Sequence, residues 1–202
     1  ANKDRYREIV QEPKLRFISD FAEPLHEISP NFVADPRPSG GSMFRIYRDV
    51  RFSKDKSPYK THAAAQFRHR AGRDAHAPGF YLHLEPGNVF AGAGSWHPER
   101  ITLDRIRTAI VEDPSRWQSV TGDPNLAAHH ELAGESLKRA PRGYDPEHPL
   151  IDYLKRKDFI CVERFSQAKA CRTGFVDEVA ESFRAAAPFV RFLTEAAGQP
   201  FV

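Results

Sequence analysis

The sequence predicts an α+β domain built on a mostly antiparallel sheet, with helices packed mainly on one face of that sheet. The 202 residues have the length of one substantial domain, and we assign residues 1–202 to it. Apolar residues recur at spacings of three and four in some segments and of two in others, so both helices and strands are expected. The two kinds of element do not alternate as in parallel α/β proteins, which favours antiparallel strands.

The first segment is predicted to be helical over residues 4–29, because its apolar residues recur at helical spacing. Pro13 lies within this pattern. Since proline removes a helical hydrogen bond, we expect a kink or a junction of two helices there. Residues 30–41 are rich in proline and glycine and are predicted to form a loop.

Strands are predicted after this loop. Residues 43–52 have an apolar period of two, which predicts a strand with a polar stripe of Arg45, Tyr47, Asp49 and Arg51. Residues 80–85 and 88–95 are predicted to pair as a hairpin around Pro86-Gly87. One face of this hairpin carries Tyr81, His83, Glu85, Gly92 and Gly94. The glycines leave that face bare where a ligand could approach closely.

The remaining helices are predicted at residues 98–111, 113–120, 149–157 and 173–197. Trp117 is the expected apolar anchor of the second of these helices, and the last is expected to break near Pro188. An edge strand within residues 132–145 and a strand at residues 159–164 complete the predicted sheet.

Composition limits the classes of function. The chain has neither an apolar run long enough to cross a membrane nor a signal peptide, so we expect a cytoplasmic protein without a membrane partner. Cys161 and Cys171 lie outside any CxxC pair and are expected to be free thiols, with Cys161 in the core. Without an HExxH or CxxC pattern, we expect no metal and no other cofactor. The sequence begins with Ala1 instead of Met, so we expect a segment of the native chain to precede it.

Charge distribution is the most informative feature of the sequence. Between residues 45 and 73 there are nine basic residues against two acidic ones, whereas the net charge of the whole chain is +3. Guanidinium and ammonium groups at this density suit a phosphate or carboxylate ligand. We therefore predict a site for a phosphorylated or otherwise anionic small molecule on the strand-loop segment 45–62. Its candidate ligand-binding residues are Arg45, Tyr47, Arg48, Arg51, Lys54, Lys56, Tyr59, Lys60 and Tyr81.

Two other interpretations of the same residues stay open. The cations, together with Tyr47 and Tyr59, could bind nucleic acid through phosphate contacts and base stacking. Alternatively, Arg45, Asp49 and Arg51 could form a structural charge network that binds no ligand. The shape of the surface discriminates between small-molecule binding and nucleic-acid binding, because a pocket favours a small ligand and a flat basic strip favours a polymer.

Catalytic candidates are few, and the sequence leaves open whether the protein is an enzyme. His83 is the candidate acid or base, with Glu85 or Asp49 as the group that orients it. The alternative is that these residues have no catalytic role, since the outer face of any half-exposed strand carries polar residues of this kind. Histidines also recur at intervals of seven from residue 62 to residue 83. Seven residues reverse the face of a strand, so we interpret this spacing as coincidence.

Four segments of the sequence resemble a known family. They are residues 44–62, 79–83, 91–96 and 137–144. Together they resemble the signature of the family of unknown function DUF2461, over nearly the whole chain. The resemblance implies one soluble domain, and it implies no reaction, cofactor, partner or catalytic residue, since none is assigned to that family.

Overall fold

The computed structural model describes residues 2–52, 54–72 and 76–202, so Arg73 of the basic segment lies outside the described residues. The helical elements are α1 Lys3–Tyr6, a π-helical segment Arg7–Gln11, α2 Glu12–Asp20, α3 Ala22–Ile28, α4 Arg100–Glu112, α5 Pro114–Thr121, α6 Pro124–His129, α7 Ile151–Leu154, α8 Gln167–Ala170 and α9 Phe175–Ala196. The strands are β1 Phe32–Val33, β2 Ala63–His69, β3 Gly79–Glu85, β4 Asn88–Ser95, β5 Glu131–Ala133 and β6 Phe159–Phe165. Within the described ranges, no helix is long and apolar enough to cross a membrane.

The strands form one open six-stranded sheet in the order β1-β2-β3-β4-β6-β5, and all neighbours are antiparallel. β3 and β4 pair from Gly79↔Gly94 to Glu85↔Asn88, so Pro86 and Gly87 alone form the turn of the hairpin. Gly87 has a φ of 78°, as the third residue of a type II turn requires. The predicted α+β fold class and the predicted hairpin are both confirmed.

The helices pack on one face of the sheet, and α9 is the centre of that layer. The ring of Phe183 in α9 lies 4.7 Å from that of Phe80 and 6.0 Å from that of Phe67, between ring centroids. Trp117 of α5 is completely buried against the same helix, as expected of an anchor. Each large side chain buried in this way contributes about 1.5–3 kcal/mol to folding. The opposite face, called the outer face below, carries the alternate residues of each strand.

Two prolines have different effects on their helices. The π-helical segment ends at Gln11, and Pro13 is the second residue of α2, so the proline lies just past the point where the helical hydrogen-bond spacing changes. The junction predicted at this proline is therefore confirmed. The break predicted near Pro188 is wrong, because α9 continues through it to Ala196. Extensive burial along α9 on both sides of the proline holds the helix together.

Residues 43–52 do not form the predicted strand. Phe44 donates its backbone N–H to Ala64 O at 3.0 Å, and the chain then leaves the sheet. The outgoing and returning parts of this excursion are joined where Lys60 donates its N–H to Ile46 O at 2.8 Å, and the chain re-enters the sheet at Ala63. We call this excursion, residues 45–60, the basic arm. The polar stripe proposed for a strand in this region therefore lies on an arm that projects from the sheet edge.

Aspartates in the basic arm explain why the strand pattern fails. Asp49 Oδ1 accepts the N–H of Arg51 at 3.2 Å, and Asp55 Oδ1 accepts that of Ser57 at 2.9 Å. Such turns give backbone groups a local partner in place of a neighbouring strand. On the side away from β4, β3 pairs with β2, which sequence reasoning missed because its Ala-rich start has low strand propensity.

Candidate functional site

The outer face of the sheet holds a cavity of about 540 Å³, called the outer cavity below. Its base consists of residues of β2, β3, β4 and β6. Its sides come from Phe44, Lys60 and His62 at the base of the basic arm, from residues 76–77 and from Trp96. The strand register places Gln66, Tyr81, Gly92 and Val162 side by side across this base. A concave space of this size on a rigid sheet is typical of a small-molecule site.

Glycines form the floor of the outer cavity. Gly79 pairs directly with Gly94, and Gly92 lies opposite Tyr81, so three neighbouring outer positions carry no side chain. At Gly94 the fold requires glycine, since φ is +117° and a Cβ would lie 2.1 Å from the carbonyl oxygen of Phe159. At Gly92 a Cβ would meet its nearest atoms at 3.8 Å, which is ordinary contact. The fold therefore does not require glycine at position 92, whereas an open cavity does.

Aromatic side chains form much of the wall. The ring of Tyr81 lies 6.0 Å from that of Phe44 and 5.8 Å from that of Phe90, between centroids. Trp96 lies at the opposite side, and 58% of its surface is exposed. Flat apolar walls with few polar groups favour a ligand with a planar apolar body.

A chain of three hydrogen-bonding side chains runs along the outer side of β3. Tyr81 Oη lies 2.9 Å from His83 Nδ1, and His83 Nε2 lies 3.4 Å from Glu85 Oε2. Thr61 donates its hydroxyl to the other oxygen of Glu85 at 2.5 Å. These hydrogen bonds, that of Thr61 first, lower the pKa of Glu85, so its carboxyl group is ionised near neutral pH.

His83 is buried within this chain. Its ring lies between the rings of His62 and Phe90, at centroid distances of 4.4 and 4.6 Å, and it is 8% exposed. Both of its nitrogens already have partners on β3, so His83 can act on a bound molecule only through Tyr81. Burial, and secondarily the charge of Glu85, raises the pKa of Tyr81 to about 12, which keeps its hydroxyl protonated.

Positive charge accumulates at one end of the cavity, around Phe44. Lys60 Nζ lies 5.1 Å from the centre of the Phe44 ring, and Lys14 Nζ lies 3.5 Å from the Phe44 carbonyl oxygen. Burial and the nearby charge of Lys60 lower the pKa of Lys14 to about 8. Burial, followed by neighbouring positive groups, also lowers the pKa of His62. In the described part of the chain, no carboxylate lies within ion-pair distance of either lysine.

The rim at Trp96 is held by a buried carboxylate. The next residue, His97, has a φ of 49°, which a side-chain-bearing residue rarely adopts. Asp158, 1% exposed, accepts the N–H of His97 at 2.8 Å and the N–H of Glu135 at 2.9 Å. Strain of this kind persists where surrounding contacts impose it, so Asp158 fixes the turn that presents Trp96 to the cavity.

The structure divides the residues proposed from the sequence into two groups. Lys60, Tyr81 and His83 line the outer cavity, and Glu85 lies directly behind His83. The remaining ligand-binding candidates lie on the basic arm away from the lining; they are Arg45, Tyr47, Arg48, Arg51, Lys54, Lys56 and Tyr59. Asp49 also lies on the arm, so the group next to His83 is Glu85 and not Asp49.

Two arginines of the basic arm already have carboxylate partners. Arg51 pairs with Asp49, their nearest atoms being 2.6 Å apart, and this contact lowers the pKa of Asp49 to about 2. Arg48 pairs with Asp55. The arm thus contains part of the charge network considered above. Both pairs are accessible to solvent, with Arg48 the least exposed of the four side chains, and such pairs stabilise a fold only slightly.

Sequence reasoning missed three basic residues of the site. His62 and His76 line the outer cavity with His83, and Lys14 approaches its cationic end from α2. The spacing of seven had singled out these histidines, but three of the four line one cavity only because the chain folds back between them. Among the residues the structure describes, no three His, Cys, Asp or Glu side chains are placed to hold a metal ion. Cys161 is buried, and burial raises the pKa of its thiol to about 12, as expected of a core cysteine.

Fold and site together define a class: a single α+β domain whose open antiparallel sheet is covered by helices on one face and carries a small-molecule-sized cavity on the other. The chain belongs to the DUF2461 family of conserved hypothetical proteins, which it matches over residues 1–192. No curated protein and no solved structure matches the chain significantly. The family description names no activity, so the function has to be argued from the cavity itself.

Proposed function

We propose that the outer cavity binds a small planar molecule through its aromatic walls and pairs an anionic group of that molecule, a phosphate or a carboxylate, with Lys60. The observation that carries this proposal is the cationic end of the cavity. Lys14 is only 6% exposed and stands beside Lys60 with no carboxylate partner among the described residues. A buried ammonium group without a counterion is unfavourable, and a bound anion would supply the counterion.

The proposal places the anion at the base of the basic arm. Arg48 and Arg51, farther out, are already engaged by Asp55 and Asp49, whereas Lys60 faces the cavity. The remainder of the ligand would lie over the glycine floor. The fold would tolerate a side-chain methyl group at Gly92, so the glycine there serves to keep this part of the cavity open. Ligands of protein cavities are commonly held in this way, by apolar walls and a few placed polar groups.

The test is a thermal-shift panel at low salt. It contains phenyl phosphate, benzoate, nucleoside monophosphates, sugar phosphates and inorganic phosphate, with benzyl alcohol as an uncharged control. A ligand present at a hundred times its Kd stabilises the folded state by about 2.7 kcal/mol. For a chain of this length that is a rise in Tm of about 5–11 °C. We expect aromatic anions to raise Tm more than inorganic phosphate or benzyl alcohol does.

Two lysine variants decide where such a ligand binds. Lys60→Met removes the ammonium group next to the cavity and should reduce the affinity for the best anion at least about tenfold, as expected for a charge-assisted contact. Lys54→Met, at an exposed position of the same arm, changes net charge equally and should leave the affinity unchanged. Equal losses in both variants, or no shift with any aromatic anion, would contradict the proposal.

A second candidate function rests on exposed aromatic residues of the basic arm. Tyr47, Phe52 and Tyr59 are 57%, 95% and 54% exposed, and they lie among cations. This combination suits stacking and phosphate contacts with single-stranded nucleic acid. Fluorescence anisotropy with short RNA and DNA should then show steeply salt-dependent binding that Phe52→Ala weakens. Binding that Phe52→Ala leaves unchanged argues against this candidate.

A further inference from the structure

The hydrogen bonds along β3 determine whether the Tyr81 hydroxyl donates or accepts a hydrogen bond in the outer cavity. An ionised carboxylate only accepts hydrogen bonds, so the His83 nitrogen facing Glu85, Nε2, carries a proton. In a neutral imidazole the other nitrogen, Nδ1, then has none and accepts a hydrogen bond. Its partner at 2.9 Å is Tyr81 Oη, which must donate its only proton to His83.

The consequence is that, with the His83 ring neutral, Tyr81 faces the cavity as an acceptor. Its pKa of about 12 keeps the hydroxyl protonated, and that single proton is already used within the protein. Among the residues that the structure describes, no other side chain donates to Tyr81 Oη. The oxygen therefore has lone pairs to offer to a bound molecule and no proton to give.

The proposed cation contact and this acceptor border the same aromatic side chain of the cavity wall. Lys60 and Tyr81 both border Phe44, with Lys60 Nζ 5.1 Å from the centre of its ring and the Tyr81 ring centroid 6.0 Å from it. An aromatic anion that places its anionic group next to Lys60 and its ring against Phe44 would thus bring its other ring substituents to the side of the cavity that Tyr81 borders.

We propose that the ligand of the outer cavity is an aromatic anion that also carries a hydroxyl or amino group, and that this group donates a hydrogen bond to Tyr81 Oη. This inference rests on the proposed function. Glu85 and His83 act as positioning residues, since they select the ligand by fixing the direction of the Tyr81 proton. A ligand with only an acceptor at this place would leave two oxygen lone pairs facing each other, which disfavours binding.

Binding of two matched probes tests the selectivity. 3-Hydroxybenzoate and 3-methoxybenzoate carry the same anion, but only the first has a donor. By calorimetry, 3-hydroxybenzoate should bind the wild-type protein about tenfold or more tightly than its methyl ether. Tyr81→Phe keeps the ring and removes the acceptor, so it should bring that ratio close to one. Equal affinities in the wild type, or a ratio that survives in Tyr81→Phe, would overturn the inference.

A measurement without any ligand tests the hydrogen-bond direction itself. The ¹⁵N chemical shifts of the His83 ring, assigned against a His83→Gln spectrum at mildly alkaline pH, report which nitrogen carries the proton. The proton is expected on Nε2, and a proton on Nδ1 would refute the acceptor role of Tyr81. If the proton is on Nε2 and neither benzoate binds, the ligand class inferred here is wrong. If aromatic anions bind but Lys60→Met has no effect, the proposed function fails instead.

Discussion

Two glycines of β4 that face the same cavity should respond in opposite ways to an added methyl group. In Gly94→Ala the new Cβ would lie 2.1 Å from the carbonyl oxygen of Phe159, at a φ of +117°. Backbone strain of this kind costs about 1–3 kcal/mol. The overpacking costs about another 1–3 kcal/mol. We therefore expect Tm to fall by roughly 4–24 °C.

In Gly92→Ala the new Cβ would lie 3.8 Å from the nearest atom of Tyr81, and no positive φ opposes it. The substitution reduces the freedom of the unfolded chain and should stabilise the protein by about 0.4–1 kcal/mol. Urea and thermal unfolding of both variants measure these changes. The same Gly92→Ala variant should bind aromatic anions more weakly, because the methyl group occupies the cavity floor. A destabilised Gly92→Ala or an unaffected Gly94→Ala would refute the account of the floor.

Three further predictions concern buried polar groups. Burial, with a smaller contribution from His129, lowers the pKa of His130 from 6.5 to about 4. The unfolded chain binds a proton that the folded chain excludes, so the free energy of unfolding should fall by about 3 kcal/mol as pH drops from 6.5 to 4. Urea titrations of His130→Gln across that range should lack this loss. Asp158→Ala leaves two backbone N–H groups unpaired and should cost about 2–5 kcal/mol in urea unfolding, against little change for an exposed control, Asp152→Ala. Lys14→Met should stabilise the protein by about 1–3 kcal/mol at neutral pH, and the gain should shrink as pH rises from 8 to 10.5, because Lys14 then loses its charge in the folded state first.

The parts of the fold that the sequence predicts are those with strong local patterns. The hairpin of β3 and β4 alternates cleanly about Pro86-Gly87, and Trp117 marks a buried helix. β2 could not be found in this way, since Ala63–His69 begins with small residues of low strand propensity. The sequence pattern instead predicted a strand at residues 43–52. Apolar and polar residues do alternate there, but aspartate side chains accept hydrogen bonds from nearby backbone N–H groups and form turns.

The same limit applies to the candidate site. Tyr81, His83 and Glu85 share one face because a strand has a period of two, and that period is visible in the sequence. Lys14 lies on α2, 30 residues before Phe44 in the chain, so only the tertiary fold brings the two residues together. Local patterns hold no information about such a contact. Of the cations in the charge run at residues 45–62, Lys60 lines the outer cavity, and the charge pattern alone gave no sign of the concave surface beside it.

The position of α9 in the chain has a consequence for biosynthesis. β2, β3 and β4 are complete by Ser95, but the helix that covers their apolar face begins at Phe175. At about 5–20 residues per second, a ribosome needs roughly 4–16 s to synthesise the intervening chain. Throughout that time Phe67 and Phe80 cannot pack against α9, because α9 has not yet been synthesised. A chaperone that shields nascent apolar strands should therefore raise the yield of this protein, and a stalled chain ending before α9 should aggregate.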